Sequence, residues 1–191
     1  MYEILEKSLL NDSTVLMKIY APHIARKVKP GQFVIVRSHE DAERIPLTIA
    51  DANAEEGWVA IVFQAVGAGT MKIARLNPGD YLAAVLGPLG TPSKIEKYDA
   101  PVLCVGGGIG TAPLYPIVQA LKAAGNKVIV VICARTKDLL IFVDEMKAIA
   151  DEVIIMTDDG SAGRQGVSTV PVEELCQSQT PPAEEIGRAH V

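Results

Sequence analysis

The chain has 191 residues, 49% of them hydrophobic, with 16 Gly and 12 Pro distributed along its length. This composition belongs to a turn-rich globular protein of one large or two small domains and excludes a disordered or fibrous chain. A formal net charge of -5 with no basic cluster argues against nucleic acid as a partner, because displacing counterions from phosphates needs a basic face.

The start, Met1-Tyr2-Glu3, carries an acid where a secretory signal carries bases, so no export signal is expected. Residues 2–10 and 14–20 read as strands split by Asn11-Asp12-Ser13. Pro30-Gly31 precedes a strand over 32–37, and Glu55-Glu56-Gly57 is a solvated turn before a β-branched run over 58–66. Asn77-Pro78-Gly79-Asp80 is a strong turn, and a strand over 81–86 completes about six before the loop Gly87-Pro88-Leu89-Gly90. Turn signals at this spacing predict a small antiparallel β-barrel.

The rhythm changes near Tyr98-Asp99. Solid apolar runs over 101–105, 127–134 and 152–157 predict strands covered on both faces, with helices over 111–124 and 138–150 between them. That alternation marks an α/β Rossmann-like parallel-sheet domain, with the domain boundary in the stretch 94–100. Residues 100–121 contain no charged side chain and are long enough to span a bilayer. The glycines and prolines inside that stretch break the continuous helix that lipid demands, so no membrane span is expected. The last residues, Glu185 to Val191, read like a translated sequencing adapter. The expectation is therefore a non-native tail over 185–191 on a C-terminally truncated domain lacking its final strands.

Three motifs invite chemistry. Gly106-Gly107-Gly108-Ile109-Gly110-Thr111 lies between a predicted strand and a predicted helix. Glycines there let a dinucleotide pyrophosphate approach the backbone, and the helix start attracts it; a plain Gly-rich turn is the alternative. Thr111 stands where the usual fingerprint has its third Gly, and the end of the second strand, Ala134-Arg135-Thr136-Lys137, lacks the usual acid. This is a dinucleotide-type site of another kind. Arg44-Ile45-Pro46-Leu47-Thr48 heads an extended segment and by itself means little, since surface Arg and strand Thr are ordinary. Gly67-Ala68-Gly69-Thr70 precedes a short helical stretch over 71–76 and either offers backbone amides to a second phosphate or is a simple turn. A fourth stretch, Thr157-Asp158-Asp159-Gly160-Ser161-Ala162-Gly163, follows the third strand at the carboxyl edge where open parallel sheets bind ligands; an Asp/Gly turn is its alternative. His23, His39 and His190 are isolated and receive no role.

Arg-x-Pro-Leu-Thr, then Gly-x-Gly-Thr, then Gly-Pro-Leu-Gly, then Gly-Gly-Gly-Ile-Gly-Thr-Ala-Pro, in that order, resemble the ferredoxin–NADP reductase superfamily over most of residues 1–170. Residues 27–33, Lys27-Val28-Lys29-Pro30-Gly31-Gln32-Phe33, and the stretches 44–51 and 134–138 look most like one branch. It contains the small subunits of NADH-dependent reduced ferredoxin:NADP oxidoreductases and the electron-transfer subunits of dihydroorotate dehydrogenases. The resemblance implies an FAD-binding β-barrel over 1–96 and an incomplete NAD(P)-binding domain over 97–184. It implies Arg44 on the flavin diphosphate, Thr48 as the catalytic hydroxyl near flavin N5, and Gly67, Gly69 and Thr70 over the FAD pyrophosphate. Pro46 and Leu47 complete the flavin motif; Leu47 departs from the aromatic residue of the plant-type pattern, as the branch does.

The same resemblance gives the dinucleotide to Gly106, Gly107, Gly108, Gly110 and Thr111, with Arg135 at the second strand end and Asp158, Asp159 and Gly160 beside the nicotinamide nucleotide. It implies an oxidoreductase that passes electrons from NADH, favoured over NADPH, through FAD and a [2Fe-2S] cluster. That cluster's cysteines lie in the missing C-terminal region, so no metal site is expected among Cys104, Cys133 and Cys176. The implied partners are a larger oxidoreductase subunit and ferredoxin, in a reducing cytoplasm. Two alternatives stay open: the dihydroorotate dehydrogenase electron-transfer subunit, and a non-catalytic nucleotide-binding module.

Overall fold

The structure, a computed structural model, describes residues 2–189 and divides into two compact units, Met1–Ser93 and Lys94–Val191. In the first, β1 (Tyr2–Leu9), β2 (Thr14–Tyr20), β3 (Phe33–Arg37), β4 (Ile45–Asn53), β5 (Trp58–Gln64), β6 (Tyr81–Leu82) and β7 (Ala84–Leu89) form one antiparallel sheet in the order β6-β1-β2-β5-β4-β3-β7. Two short helices, α1 (Pro22–Ala25) and α2 (Ala68–Ala74), interrupt it. Alternate side chains, among them Met17, Ile19, Val34, Val36, Ile61 and Phe63, point into a common core, as the two-residue period of a strand requires. β6 and β7, at opposite edges of the sheet, are separated only by Ala83, whose amide donates to the Arg37 carbonyl at 3.0 Å. One residue therefore brings the two edges together, and the sheet nearly closes into a barrel.

The expected strand over 81–86 thus splits in two, and the expected 87–90 loop lies mostly within β7. A Cβ at Gly87 would sit 2.7 Å from Val34 Cγ1. That glycine permits close strand packing; it does not mark a turn. Likewise α2 starts at Ala68, not at 71. The Thr70 hydroxyl donates to the Gly67 carbonyl and accepts from the Gly67 amide, both at 3.1 Å, which draws the glycines into the first turn.

The second unit carries β8 (Val102–Gly107), a 3₁₀ turn (Gly108–Gly110), α3 (Thr111–Ala123), β9 (Val128–Ala134), α4 (Val143–Ile149), β10 (Glu152–Thr157), β11 (Arg164–Gln165), α5 (Thr169–Cys176) and β12 (Glu184–Ala189). All strand pairs are parallel, in the order β11-β10-β9-β8-β12. α5 lays Val172 and Leu175 on Leu103, Ile129, Val131 and Met156, while the alternate residues Val102, Cys104, Val130 and Ile132 are also buried. The expected helix over 138–150 is shorter. Lys137–Leu139 is a 3₁₀ turn and Phe142 takes a left-handed φ of 59° as its N-cap. The apolar periodicity of 139–142 comes from burial of Ile141 and of Phe142, whose ring lies 5.3 Å from that of Tyr115, and not from a helical turn. Residues 184–189, which include most of the expected tail, form β12 alongside β8; His190 and Val191 lie outside the described residues. Among the described residues no helix is long and apolar enough to cross a membrane.

The chain is pinned on both sides of the unit boundary. The Ser93 amide donates to the Pro30 carbonyl at 2.9 Å. In the second unit Asn126, 2% exposed, accepts from the Tyr98 amide at 2.8 Å and donates to the carbonyls of Glu96 (2.8 Å) and Leu121 (3.0 Å). Removing it leaves the Tyr98 amide and the Glu96 carbonyl unpaired, while the Leu121 carbonyl keeps the residue 126 amide at 3.1 Å; each loss is modest and burial enlarges it. Asn126→Ala is expected to destabilise the second unit by about 1–3 kcal/mol, measured as a lower urea midpoint; an unchanged midpoint refutes the bracket.

Candidate functional site

The first cradle is built on β3. Val34 and Val36 are fully buried in the barrel, so Phe33, Ile35 and Arg37 face outward. Their cross-strand partners share that face: Thr48 opposite Phe33 and Pro46 opposite Ile35 on β4, then Leu89, Leu86 and Ala84 on β7. The result is an open apolar surface on a barrel exterior, with Leu86 58% exposed and Thr48 contributing a half-buried hydroxyl. Leu47 pairs with Val34 and Ile45 with Val36, and both pack against the core, so these two side chains of the motif turn away from the face.

Arg44 is exposed just ahead of β4, and α2 lies against the same segment. A Cβ at Gly69 would collide with the Glu43 carboxylate and come within 2.5 Å of Ile45 Cδ1. The fold thereby packs Gly69 against Glu43 and Ile45, the two neighbours of Arg44, although some twenty residues separate them in sequence. The first-turn amides of α2 have no acceptor within the helix. Phe33 belongs to this face as well and Gln32 adjoins it, yet neither has a role in the sequence reading. Gln32 accepts from the Lys29 amide and donates to the Gly90 carbonyl, both at 2.9 Å, fixing the loop after β7 beside Phe33. Their signal was present in Lys27-Val28-Lys29-Pro30-Gly31-Gln32-Phe33, which carried the resemblance.

The second cradle lies at the carboxyl end of β8. The chain leaves β8 through α3 toward β9, whereas β12 returns on the other side. Gly106 to Gly110 therefore stand where strand order reverses, the crevice in which open parallel sheets take ligands. At Gly106 a Cβ would lie 3.0 Å from both Cα and Oγ1 of Thr111 and 3.2 Å from Leu114 Cδ2, so glycine is what lets α3 seat on the strand. Gly107 pairs with Cys133 in the sheet. Gly108 has φ +53 and nothing within 4 Å of a Cβ: the space above it is open. Gly110 caps α3, and the buried Thr111 Oγ1 has no hydrogen-bond partner among the described residues. An orphaned hydroxyl and an open glycine backbone at the start of a 13-residue helix fit a pyrophosphate.

The strand ends beside it are tied into one rim. The amides of Asp158 and Asp159 donate to the carbonyls of Ala134 (3.2 Å) and Arg135 (3.3 Å). The Ser161 hydroxyl donates to Asp159 at 2.6 Å and accepts from the Lys137 amide at 2.8 Å. Thr157, fully buried, holds Ala162 from below through its hydroxyl. Hydrogen bonds from Ser161 keep the Asp159 carboxyl below its ordinary range. Asp159 is thus committed to the loop, Gly160 turns it with φ +72, and Asp158 and Arg135 remain exposed. Cys133 Sγ donates to the Gly106 carbonyl at 3.4 Å, and burial raises its thiol pKa. Among the described residues no three metal-binding side chains gather.

No protein-family model matches the chain. A dihydroorotate dehydrogenase B electron-transfer subunit homolog of Thermotoga maritima is 49% identical over 173 residues, 91% of this chain and 61% of its own length. The dihydroorotate dehydrogenase B electron-transfer subunit of Geobacillus thermodenitrificans is 32% identical, over 90% of this chain and 68% of its own. A solved structure of the NADH-dependent reduced ferredoxin-NADP oxidoreductase superposes with a TM-score of 0.90 at 44% identity, covering 98% of this chain and 67% of that one. This chain belongs to the ferredoxin reductase-type family of electron-transfer subunits. A barrel followed by a parallel sheet is the FAD- and NAD-binding fold of the ferredoxin reductase type, so the resemblance and the fold class read from the motifs both stand. The chain spans about three fifths of the length of the first curated relatives it matches.

Proposed function

We propose that this chain is the FAD-carrying part of an NADH-dependent electron-transfer subunit, with residues 1–96 holding FAD and 97–184 holding NAD(P)H. What supports this reading is the open apolar face of Phe33, Ile35, Leu86 and Thr48 on the barrel exterior, with the first turn of α2 packed against the residues that flank Arg44 at the head of β4. That face suits a flat ring system with a diphosphate at its edge. Bound there, FAD supplies hydride acceptance from the nicotinamide and one-electron release. Thr48 presents its hydroxyl to the flavin N5, Arg44 holds phosphate charge, and Phe33, Ile35 and Leu86 exclude water from the ring. Gly106, Gly107, Gly108, Gly110 and Thr111 admit the dinucleotide backbone; Arg135, Asp158, Asp159 and Gly160 form the rim that orients its nucleoside end.

The longer relatives make a larger oxidoreductase subunit, ferredoxin and a [2Fe-2S] cluster the fitting onward path, in the cytoplasm. The Thermotoga relative's name favours a second reading, in which the partner is a dihydroorotate dehydrogenase. Identification of the co-purifying subunit separates the two. Thr48→Ala is expected to retain flavin and to slow flavin bleaching by NADH about tenfold or more in stopped flow. A wild-type bleaching rate removes Thr48 from the mechanism. Bleaching by NADPH is expected to trail that by NADH; the reverse order reassigns Arg135 to a 2′-phosphate.

A further inference from the structure

We infer that Arg37 is a second arginine of the flavin diphosphate site, an inference that rests on the flavin reading above. Arg37 ends β3 on the outward face shared with Phe33 and Ile35. The β3–β4 register runs Phe33↔Thr48, Val34↔Leu47, Ile35↔Pro46, Val36↔Ile45; Arg37 follows the last pair on β3 and Arg44 immediately precedes it on the other side. Alternation beyond the inward pair Val36 and Ile45 gives both arginines the outward face at neighbouring positions.

The Arg37 Nε is buried without a hydrogen-bond partner among the described residues. Neither Glu40, Asp41 nor Glu43 of the adjoining β3–β4 loop forms an ion pair with it; the ion pairs among the described residues lie elsewhere. A buried donor on a charged group without a partner is costly and uncommon. Its backbone is already in use, since the Arg37 carbonyl accepts from Ala83 where the barrel closes, so the side chain cannot leave by shifting the strand. An anion that meets two neighbouring guanidinium forks satisfies Nε, and a diphosphate, with several oxygens on each phosphorus, is matched to that geometry. Arg44, being exposed, meets the diphosphate from the solvent side; Arg37 meets it from the barrel side.

The test is equilibrium binding of FAD and of riboflavin, which lacks phosphate, to the full chain stripped of flavin. Arg37→Met keeps the aliphatic stem, and is expected to weaken FAD at least tenfold while riboflavin binding changes less than twofold. Arg37→Lys, which keeps charge but loses Nε and the fork, is expected to weaken FAD about threefold or more, and decides the matter if the methionine variant does not fold. Wild-type FAD affinity in whichever variant folds overturns the role of Arg37 and leaves the flavin reading intact. Equal weakening of FAD and riboflavin overturns the diphosphate assignment, placing Arg37 under the ring. A wild-type chain that binds neither flavin overturns the flavin reading itself and this inference with it.

Discussion

Gly106→Val is expected to raise the KM for NADH at least tenfold while flavin content stays at the wild-type level. The space a Cβ needs is already held by Thr111 and Leu114, at 3.0–3.2 Å. A valine must therefore push the start of α3 off β8. Overpacking of this kind costs about 1–3 kcal/mol, and the displaced element is the helix start proposed to hold the pyrophosphate. Flavin content is unaffected because Gly106 belongs to the second compact unit and the flavin residues to the first. Gly108→Ala is the informative contrast. It meets no atom within 4 Å, so its stability cost is the left-handed backbone alone, about 1–2 kcal/mol, and any larger effect on NADH reports exclusion of the ligand. Steady-state kinetics with a thermal melt of each variant separates the two. A Gly106→Val protein with wild-type KM removes the glycine loop from dinucleotide binding.

Arg44→Ala is expected to purify folded but largely without flavin. The residue is exposed and makes no ion pair among the described residues, so its removal leaves the barrel core untouched. A charge-assisted contact to phosphate is worth about 1.5–3 kcal/mol, which corresponds to roughly 10–150-fold in FAD affinity. The absorbance ratio of flavin to protein, followed by titration with added FAD, measures it. Retention of flavin at wild-type affinity refutes Arg44 as a diphosphate ligand.

The parallel sheet was legible because its strands are solid apolar runs, and residues 152–157 came out at the observed bounds. The barrel was legible as a class, but its closure was not. That closure depends on Ala83 serving two edges, a long-range fact with no local signature, and Gly87 misled because glycine marks a tight approach to Val34 as readily as a turn. Along 138–150 the burial of Ile141 and Phe142 imitated helical spacing, and only the positive φ of Phe142 reveals the break. At the site, Arg44 and Gly69 gain meaning only when α2 lies against β4. Arg37 was invisible in sequence because nothing distinguishes it from any strand-end arginine until its Nε is found buried.

The rim that joins the ends of β9 and β10 bears on the kinetics of the proposed dinucleotide site. Ser161, Asp159, Thr157 and the amide of Lys137 already fasten the two loops to each other. An arriving molecule therefore does not have to freeze them, a saving of about 0.5–1.5 kcal/mol for each side chain otherwise immobilised on contact. Capture should then resemble a key meeting a cut lock, with association limited by encounter and not by rearrangement of these loops.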